Sequence, residues 1–382
     1  MKRSFFLLLA VLLLAPAMAL GAGKKLKDKD LSKALAKAEN SASHQALIED
    51  GSYMGWSKVS VTRGDSGMLS IRLEGMYVSE EMEMQGVDTI RINKEGRVYQ
   101  LDSVYTAGDA GLTATVDISA KGQVTWKAGG EEEQHEAGKR AVFDTSSLYL
   151  AAALVTASDG AVWEGLVVEQ GDGSMDTLRL SWGIVESMDL IGGGQVDAQR
   201  IDVERNGRPE GVLFVAGGLP VAYDARREDD LGFQQIDEQS LGELHQKHKK
   251  NIGIKRELRA TLLRVMKAFE RGDEAALKAE VDVIELGKRL VTAEDLLVEG
   301  EGLWIRKIQP QLKPATDSEA LWAVIDTQLN ELAHSAAVEY QRGGAAIFAD
   351  VNGYEARFQW NGERWLLTWW EGFKAEARFL GK

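Results

Sequence analysis

Polar and apolar residues alternate with a period of two along much of the first two thirds of the chain, most clearly in the stretch 199–226. There Ile201 and Val203 alternate with charged neighbours, which is typical of a half-buried strand. Asn206 and Gly207 follow, and both tolerate the positive φ that a tight hairpin turn requires. The stretch therefore predicts antiparallel strands joined by short turns.

Similar alternation upstream extends this prediction to an antiparallel β domain over residues 51–236. Because the pattern of 199–226 has an echo at 89–105, we expect both stretches to belong to one large curved sheet. A single helix is expected within the domain, since the N-cap cluster Asp144-Thr145-Ser146 precedes a run of good helix formers.

The last third of the chain changes to helical spacing and then returns to alternation. Ile254 and Leu258 begin a series of apolar residues four apart, which predicts an amphipathic helix. Near the end, Asn361-Gly362 predicts another hairpin. Helices followed by an antiparallel sheet predict a smaller α+β unit over residues 253–382, after a polar linker over residues 237–252. The predicted fold class of the whole chain is α+β.

Residues 1–19 have the composition of a secretory signal peptide. Lys2 and Arg3 form a basic region, ten apolar residues follow, and Ala17-Met18-Ala19 has the small residues of a cleavage site. Because the apolar run is short for a bilayer, cleavage after Ala19 is favoured over an uncleaved anchor. We therefore predict a periplasmic protein, with secretion as the second choice. The lysine-rich residues 20–50 are predicted to be a polar, solvated tail.

Composition narrows the chemistry further. The 382 residues include no cysteine, which excludes disulfides, thiol catalysis and thiolate metal sites. An exported chain without disulfides must be held together by its hydrophobic core. The formal net charge of −14 at pH 7 disfavours binding to nucleic acid or to anionic membrane surfaces.

The histidines and carboxylates form no recognisable catalytic or metal-binding motif. His245 and His248 could share one helical face, but further ligands are missing and neighbouring lysines would repel a cation, so a solvated linker face is favoured. His334 could act as a general acid or base in a cavity of the C-terminal unit, although no paired partner is evident. The carboxylates considered for the same role are Asp326, Asp350 and Glu355. We predict no catalytic residue, no metal site and no cofactor.

Three parts of the last third of the chain resemble a known superfamily. They are the segment Phe269-Glu270-Arg271-Gly272-Asp273, the small-residue helix after it, and the ending from Tyr354 through Asn361-Gly362 to Trp370. The superfamily is the nuclear-transport-factor-2-like, cystatin-like α+β roll that includes SnoaL-type proteins. The resemblance covers about a third of the chain. It implies a fold rather than an activity, since such rolls host isomerases, hydrolases, lipid carriers and structural modules.

The run of hairpins over residues 51–236, interrupted by one helix after Asp144-Thr145-Ser146, resembles periplasmic curved-sheet proteins of the lipoprotein-carrier (Lol) type. The resemblance is topological. It implies that the concave apolar face of the sheet receives a lipid or an acyl chain.

Two groups of residues are therefore candidates to contact a ligand. In the β domain they are Val212, Phe214, Leu219, Val221 and Tyr223. In the C-terminal roll they are Phe358, Trp360, Trp365 and Trp369. The favoured function is non-enzymatic binding of an apolar or amphipathic ligand, or of an envelope protein. The alternatives are a SnoaL-like enzyme acting on a small hydrophobic substrate and a structural module that forms a homodimer through the roll.

Overall fold

The computed structural model describes residues 24–79, 82–137, 142–168, 173–226, 231–282, 337–341, 345–349 and 355–370. The chain divides into two compact units, residues 1–248 and residues 249–382. The predicted signal peptide, residues 1–19, lies outside the described residues.

The first unit is built on one large antiparallel-rich sheet, to which the described residues contribute fifteen strands. Its first run comprises β1 (Ser41–Glu49), β2 (Ser52–Arg63), β3 (Leu69–Val78), β4 (Glu83–Ile92), β5 (Val98–Ala107), β6 (Ala110–Ile118), β7 (Gln123–Ala128) and β8 (Glu131–Glu136). Its second run comprises β9 (Val142–Phe143), β10 (Val162–Val168), β11 (Met175–Asp189), β12 (Gln195–Arg205), β13 (Arg208–Ala216), β14 (Leu219–Ala225) and β15 (Gly232–Ile236). The spatial order is β8 to β1 and then β15 to β9, so β1 and β15 join the two runs.

This sheet is strongly curved. A flat sheet of fifteen strands would hold its edges about 65 Å apart, at about 4.8 Å per strand. Only the five residues 137–141 connect the edge strands β8 and β9, and they can span at most about 20 Å. The edges therefore approach one another. Consistently, a Cβ atom added to Gly173, just before β11, would lie 2.8 Å from the Trp126 ring on β7. The prediction that 89–105 and 199–226 share one large sheet is confirmed.

The inner face of the curved sheet packs around two helices, α1 (Asp28–Leu35) and α2 (Thr145–Leu154). One continuous core contains apolar residues from both runs of strands and from both helices. Helix α2 begins at the predicted N-cap, because the Asp144 carboxylate accepts a hydrogen bond of 2.9 Å from the backbone N–H of Ser146. Residues Ser147 to Ala153 are all buried, as expected of a helix that is apolar on every side.

Helix α1 overturns the prediction of a solvated tail over residues 20–50. Leu31 and Leu35 are both 0% exposed, within the core. Hydrogen bonds hold both ends of the helix. At its start, Asp28 accepts from the Trp163 indole at 3.0 Å, and just after its end the Arg63 guanidinium donates to the carbonyl groups of residues 36 and 38. The lysines of this segment misled the prediction because their charged ends can remain in water while the leucines are buried.

The segment predicted as the linker, 237–252, is largely helical, because helix α3 spans Glu238–Arg271. The division between the two units, after residue 248, falls within this segment. Its Leu241 packs against Ala46 of β1, on the outer face of the sheet. His245 Nδ1 lies 3.1 Å from the Tyr53 hydroxyl, and His248 Nε2 lies 2.9 Å from the carbonyl oxygen of Val78. The two histidines thus contact the sheet.

The second unit contains α4 (Glu274–Glu280) and a four-stranded antiparallel sheet in the described residues. The strands are β16 (Ala337–Gln341), β17 (Ala345–Ala349), β18 (Glu355–Trp360) and β19 (Trp365–Trp370), paired in chain order. The Asp273 carboxylate caps α4 by accepting from the backbone N–H of Ala276 at 2.9 Å. None of the described helices combines the length and the apolar character needed to cross a membrane.

Candidate ligand-binding cavity

A partly open cavity of about 440 Å³ lies on the inner face of the sheet. Strands β1 to β5 form one side, β14 and β15 continue it, and α2 forms the opposite wall. Apolar side chains from several strands line it, namely Val59, Val61, Ile71, Leu73, Leu219 and Phe233. The volume and the largely apolar lining are those of a small-molecule site.

The cavity exists because small residues interrupt the inner face. A row of paired residues crosses five neighbouring strands, in the order Gln45, Ser57, Gly75, Gly86 and Tyr105. The three central positions contribute almost no side-chain volume. A Cβ atom on Gly86 would lie 2.5 Å from the Tyr105 ring, so glycine is required for that ring to lie over β4. The row therefore leaves space that larger residues would fill.

Tyr105 is held at the cavity by a carboxylate on the neighbouring strand. Its hydroxyl donates to Asp88, at 2.9 Å from Oδ1 and 2.8 Å from Oδ2. Burial, reinforced by the negative charges of Asp88 and Asp144, raises the pKa of Tyr105 far above its usual value. The phenol thus stays neutral and keeps its proton for Asp88 at any physiological pH.

Three aromatic rings form a wall of the cavity where α2 faces β14 and β15. The Tyr149 ring of α2 lies 5.4 Å from the Tyr223 ring of β14, which lies 6.2 Å from the Phe233 ring of β15. Gly211 makes room for this row, since a Cβ there would approach the Tyr223 hydroxyl to 2.6 Å. Burial raises the pKa of Tyr149 well above its usual value, and the nearby Tyr223 and Glu210 raise it further.

A charged group borders this aromatic wall. The Arg205 guanidinium donates to Glu210 Oε1 at 2.9 and 3.0 Å and to Asp176 Oδ2 at 3.0 Å. The second oxygen of Glu210, Oε2, is buried and has no hydrogen-bond partner among the described residues. Among the described residues, the Arg205 cation therefore contacts two carboxylates beside the cavity.

A second and larger cleft, of about 830 Å³, lies between α1 and the turns that follow β4 and β6. Its lining includes the exposed Lys29, Glu95 and Lys121. This mixed, water-accessible lining suits an apolar ligand less well than the cavity under α2 does.

Of the five residues predicted to contact a ligand in the β domain, two line the cavity and three do not. Leu219 and Tyr223 line the cavity. Val212 and Phe214 alternate with the core residues of β13 and so lie on the opposite face of that strand. Val221 is buried at the register shift between β13 and β14 and does not line the cavity.

The residues predicted in the C-terminal unit lie on β18 and β19. Phe358 and Trp365 are buried, whereas Trp360 is 39% exposed and its ring lies 5.6 Å from that of Trp365. Trp369 is paired with Arg357 in the strand register.

Most of the residues that line the cavity are not among the candidates predicted from the sequence. The inner-face positions of β1 to β5 and Tyr149 of α2 line it, but none was a candidate. The available signal was the alternation at 68–74, whose apolar positions Ile71 and Leu73 line the cavity.

The residues considered for catalysis all belong to the last third of the chain. His334, Asp326 and Asp350 lie outside the described residues. Glu355 begins β18 in the second unit. Within the described part of the chain, no group of three or more His, Asp or Glu side chains is placed to hold a metal ion.

No protein-family model and no curated protein matches this chain. Among solved structures, it is similar to the crystal structure of a β-barrel-like protein of a domain of unknown function, DUF1849, from Brucella abortus. The two share 10% sequence identity, and the alignment covers 52% of this chain and 95% of that chain, with a TM-score of 0.35. This similarity is too low to support a conclusion, so neither the carrier-type nor the SnoaL-like resemblance gains support from it.

Proposed function

We propose that this protein is a non-enzymatic binding protein that holds an apolar or amphipathic ligand in the cavity between the curved sheet and α2. The observation that carries the proposal is the cavity itself, about 440 Å³ in volume and lined mainly by apolar side chains. The signal sequence predicted at residues 1–19 makes the periplasm the compartment we propose for this function. A lipid or an acyl chain would be a ligand of suitable chemistry there.

Filling the cavity tests the proposal. Leu73→Trp adds volume at an inner-face position that lines the cavity. Arg72→Trp places the same side chain one residue earlier, where a side chain that is 52% exposed points to the other face. Titration of each purified variant with the neutral fluorescent probe N-phenyl-1-naphthylamine should show at least about tenfold weaker binding for Leu73→Trp, a loss of about 1.4 kcal/mol. Arg72→Trp should bind like the wild type.

Thermal melts followed by circular dichroism establish that both variants are folded. Probe binding by folded Leu73→Trp that equals wild-type binding would show that the probe occupies another site. A wild-type protein that binds no apolar probe, and that carries no co-purifying lipid in native mass spectrometry, would refute the proposed function.

A further inference from the structure

Polar side chains on the inner face of β1 interrupt the apolar lining of the cavity. They are Ser41, Ser43 and Gln45, which follow one another at every second position of the strand and line the cavity. On β2, the residues paired with Ser41 and Ser43 are Val61 and Val59, which line the same cavity. A sheet face that served only to pack against a hydrophobic core would be apolar on β1 as well.

Two of these side chains are buried but retain unused hydrogen-bonding capacity. Ser43 is 7% exposed and Gln45 is 5% exposed. Within the described part of the chain, the Ser43 hydroxyl makes no hydrogen bond, and Gln45 makes a single one, in which its Oε1 accepts from the Ser57 hydroxyl at 2.8 Å. Neither the Ser43 hydroxyl nor the Gln45 amide nitrogen is among the polar atoms that the described residues enclose completely, so both open to the cavity.

The unused groups are hydrogen-bond donors that lie close together. The Gln45 amide keeps the two N–H donors of its nitrogen, and the Ser43 hydroxyl keeps its O–H donor. The Cα atoms of the two residues are about 7 Å apart on one face of β1, so both side chains can contact one group placed between them. A buried donor that loses water without gaining a partner destabilises the folded chain, so a ligand that supplies an acceptor here is favoured.

We propose that Ser43 and Gln45 bind a carbonyl group of the ligand, of the kind found in the ester or amide bond that joins an acyl chain to its head group. This inference rests on the proposed binding function. A carbonyl oxygen has two lone pairs and can accept a hydrogen bond from each of the two side chains. The hydrocarbon attached to it would contact the aliphatic side chains of β2 and β3, among them Val59 and Leu73. A pure hydrocarbon would leave the donors without a partner.

Three ligands with a common skeleton test this inference. Hexylbenzene, butyl benzoate and N-butylbenzamide all carry a phenyl ring and a chain of the same length, but only the ester and the amide have a carbonyl group next to the ring. Each competes with N-phenyl-1-naphthylamine for the full-length protein. The affinity of every variant is compared with that of the wild type for the same ligand, so that differences in hydration between the ligands cancel.

Two variants remove the donors without changing the shape of the cavity greatly. Gln45→Met keeps the length of the side chain, and Ser43→Ala removes a single oxygen atom. Each should weaken binding of the ester and the amide about fivefold, a loss of about 1 kcal/mol, and leave hexylbenzene binding unchanged or slightly stronger. A larger loss for one carbonyl ligand identifies the linkage that the site prefers. Gln85→Met and Ser60→Ala are the matched controls, because both residues lie one position away from cavity-lining residues and do not line the cavity, and they should change no affinity.

The outcomes separate the two proposals. Thermal melts followed by circular dichroism identify the folded variants, and either variant alone is sufficient for the test. Equal losses for hexylbenzene and for the two carbonyl ligands would overturn the inference, since the side chains would then act only through the shape of the cavity. Unchanged binding of all three ligands would show that the two side chains hold water alone, and it would overturn the inference while the binding function stands. Failure of the probe and of all three ligands to bind the wild type would instead refute the binding function.

Discussion

Replacing Leu31 by alanine should destabilise the first unit by about 3–4 kcal/mol, although this leucine lies in a lysine-rich segment near the start of the chain. The side chain is 0% exposed and belongs to the core that joins both runs of strands. Leu→Ala changes at such positions cost roughly 2.7–5.0 kcal/mol, from lost burial and from the cavity left behind. The better helix propensity of alanine offsets only a few tenths of a kcal/mol.

Urea unfolding of the full chain, followed by far-UV circular dichroism, measures this effect. For an m-value of about 2–3 kcal/mol/M, the midpoint should fall by about 1–2 M. Lys33→Ala is the matched control on the same helix, because Lys33 is exposed, and it should change stability by no more than about 0.5 kcal/mol. Equal midpoints for the two variants would show that α1 is a solvated tail after all and would refute the packing of the core around it.

Two further predictions concern the walls of the cavity. Gly211→Ala should cost about 1–3 kcal/mol, because its Cβ would lie 2.6 Å from the Tyr223 hydroxyl, whereas Gly242→Ala, in open space on α3, should stabilise by up to about 1 kcal/mol. Urea midpoints that move in the same direction for both would contradict the close approach of Tyr223 to Gly211. The raised pKa of Tyr105 predicts stability that is present below pH 10 and lost as pH rises above it, and Tyr105→Phe should reduce that loss. Melting temperatures measured across alkaline pH test this, and identical slopes would show that Tyr105 ionises as freely when folded as when unfolded.

Local features of the fold could be predicted from the sequence because their cause is local. Asn206 and Gly207 have φ of 50° and 74°, and β12 ends and β13 begins on either side of them. Asp144 caps α2 as its position before a helix-forming run indicated. Such turns and caps depend on the backbone preferences of a few adjacent residues.

The position of β1 could not be predicted in this way. β1 pairs with β2 next to it in sequence, but its other edge pairs with β15, and His44 is opposite Ile236. Nothing near residue 44 encodes that partner, since the pairing depends on the curvature accumulated over the whole sheet. The same limit explains Val212 and Phe214: alternation showed that β13 has two faces but not which face the helices would cover.

The cavity follows from how that curvature is filled. A sheet of fifteen strands encloses more volume than its own inward side chains occupy, and larger curved sheets commonly hold helices or ligands inside. Here α1 and α2 fill part of the interior with leucine, alanine and tyrosine side chains. Next to Tyr149, the row of small residues through Gly75 and Gly86 leaves empty the space that larger side chains would fill in a well-packed core. A hydrophobicity pattern records which positions are apolar, but a cavity arises where side chains are missing, so only the assembled strands could reveal it.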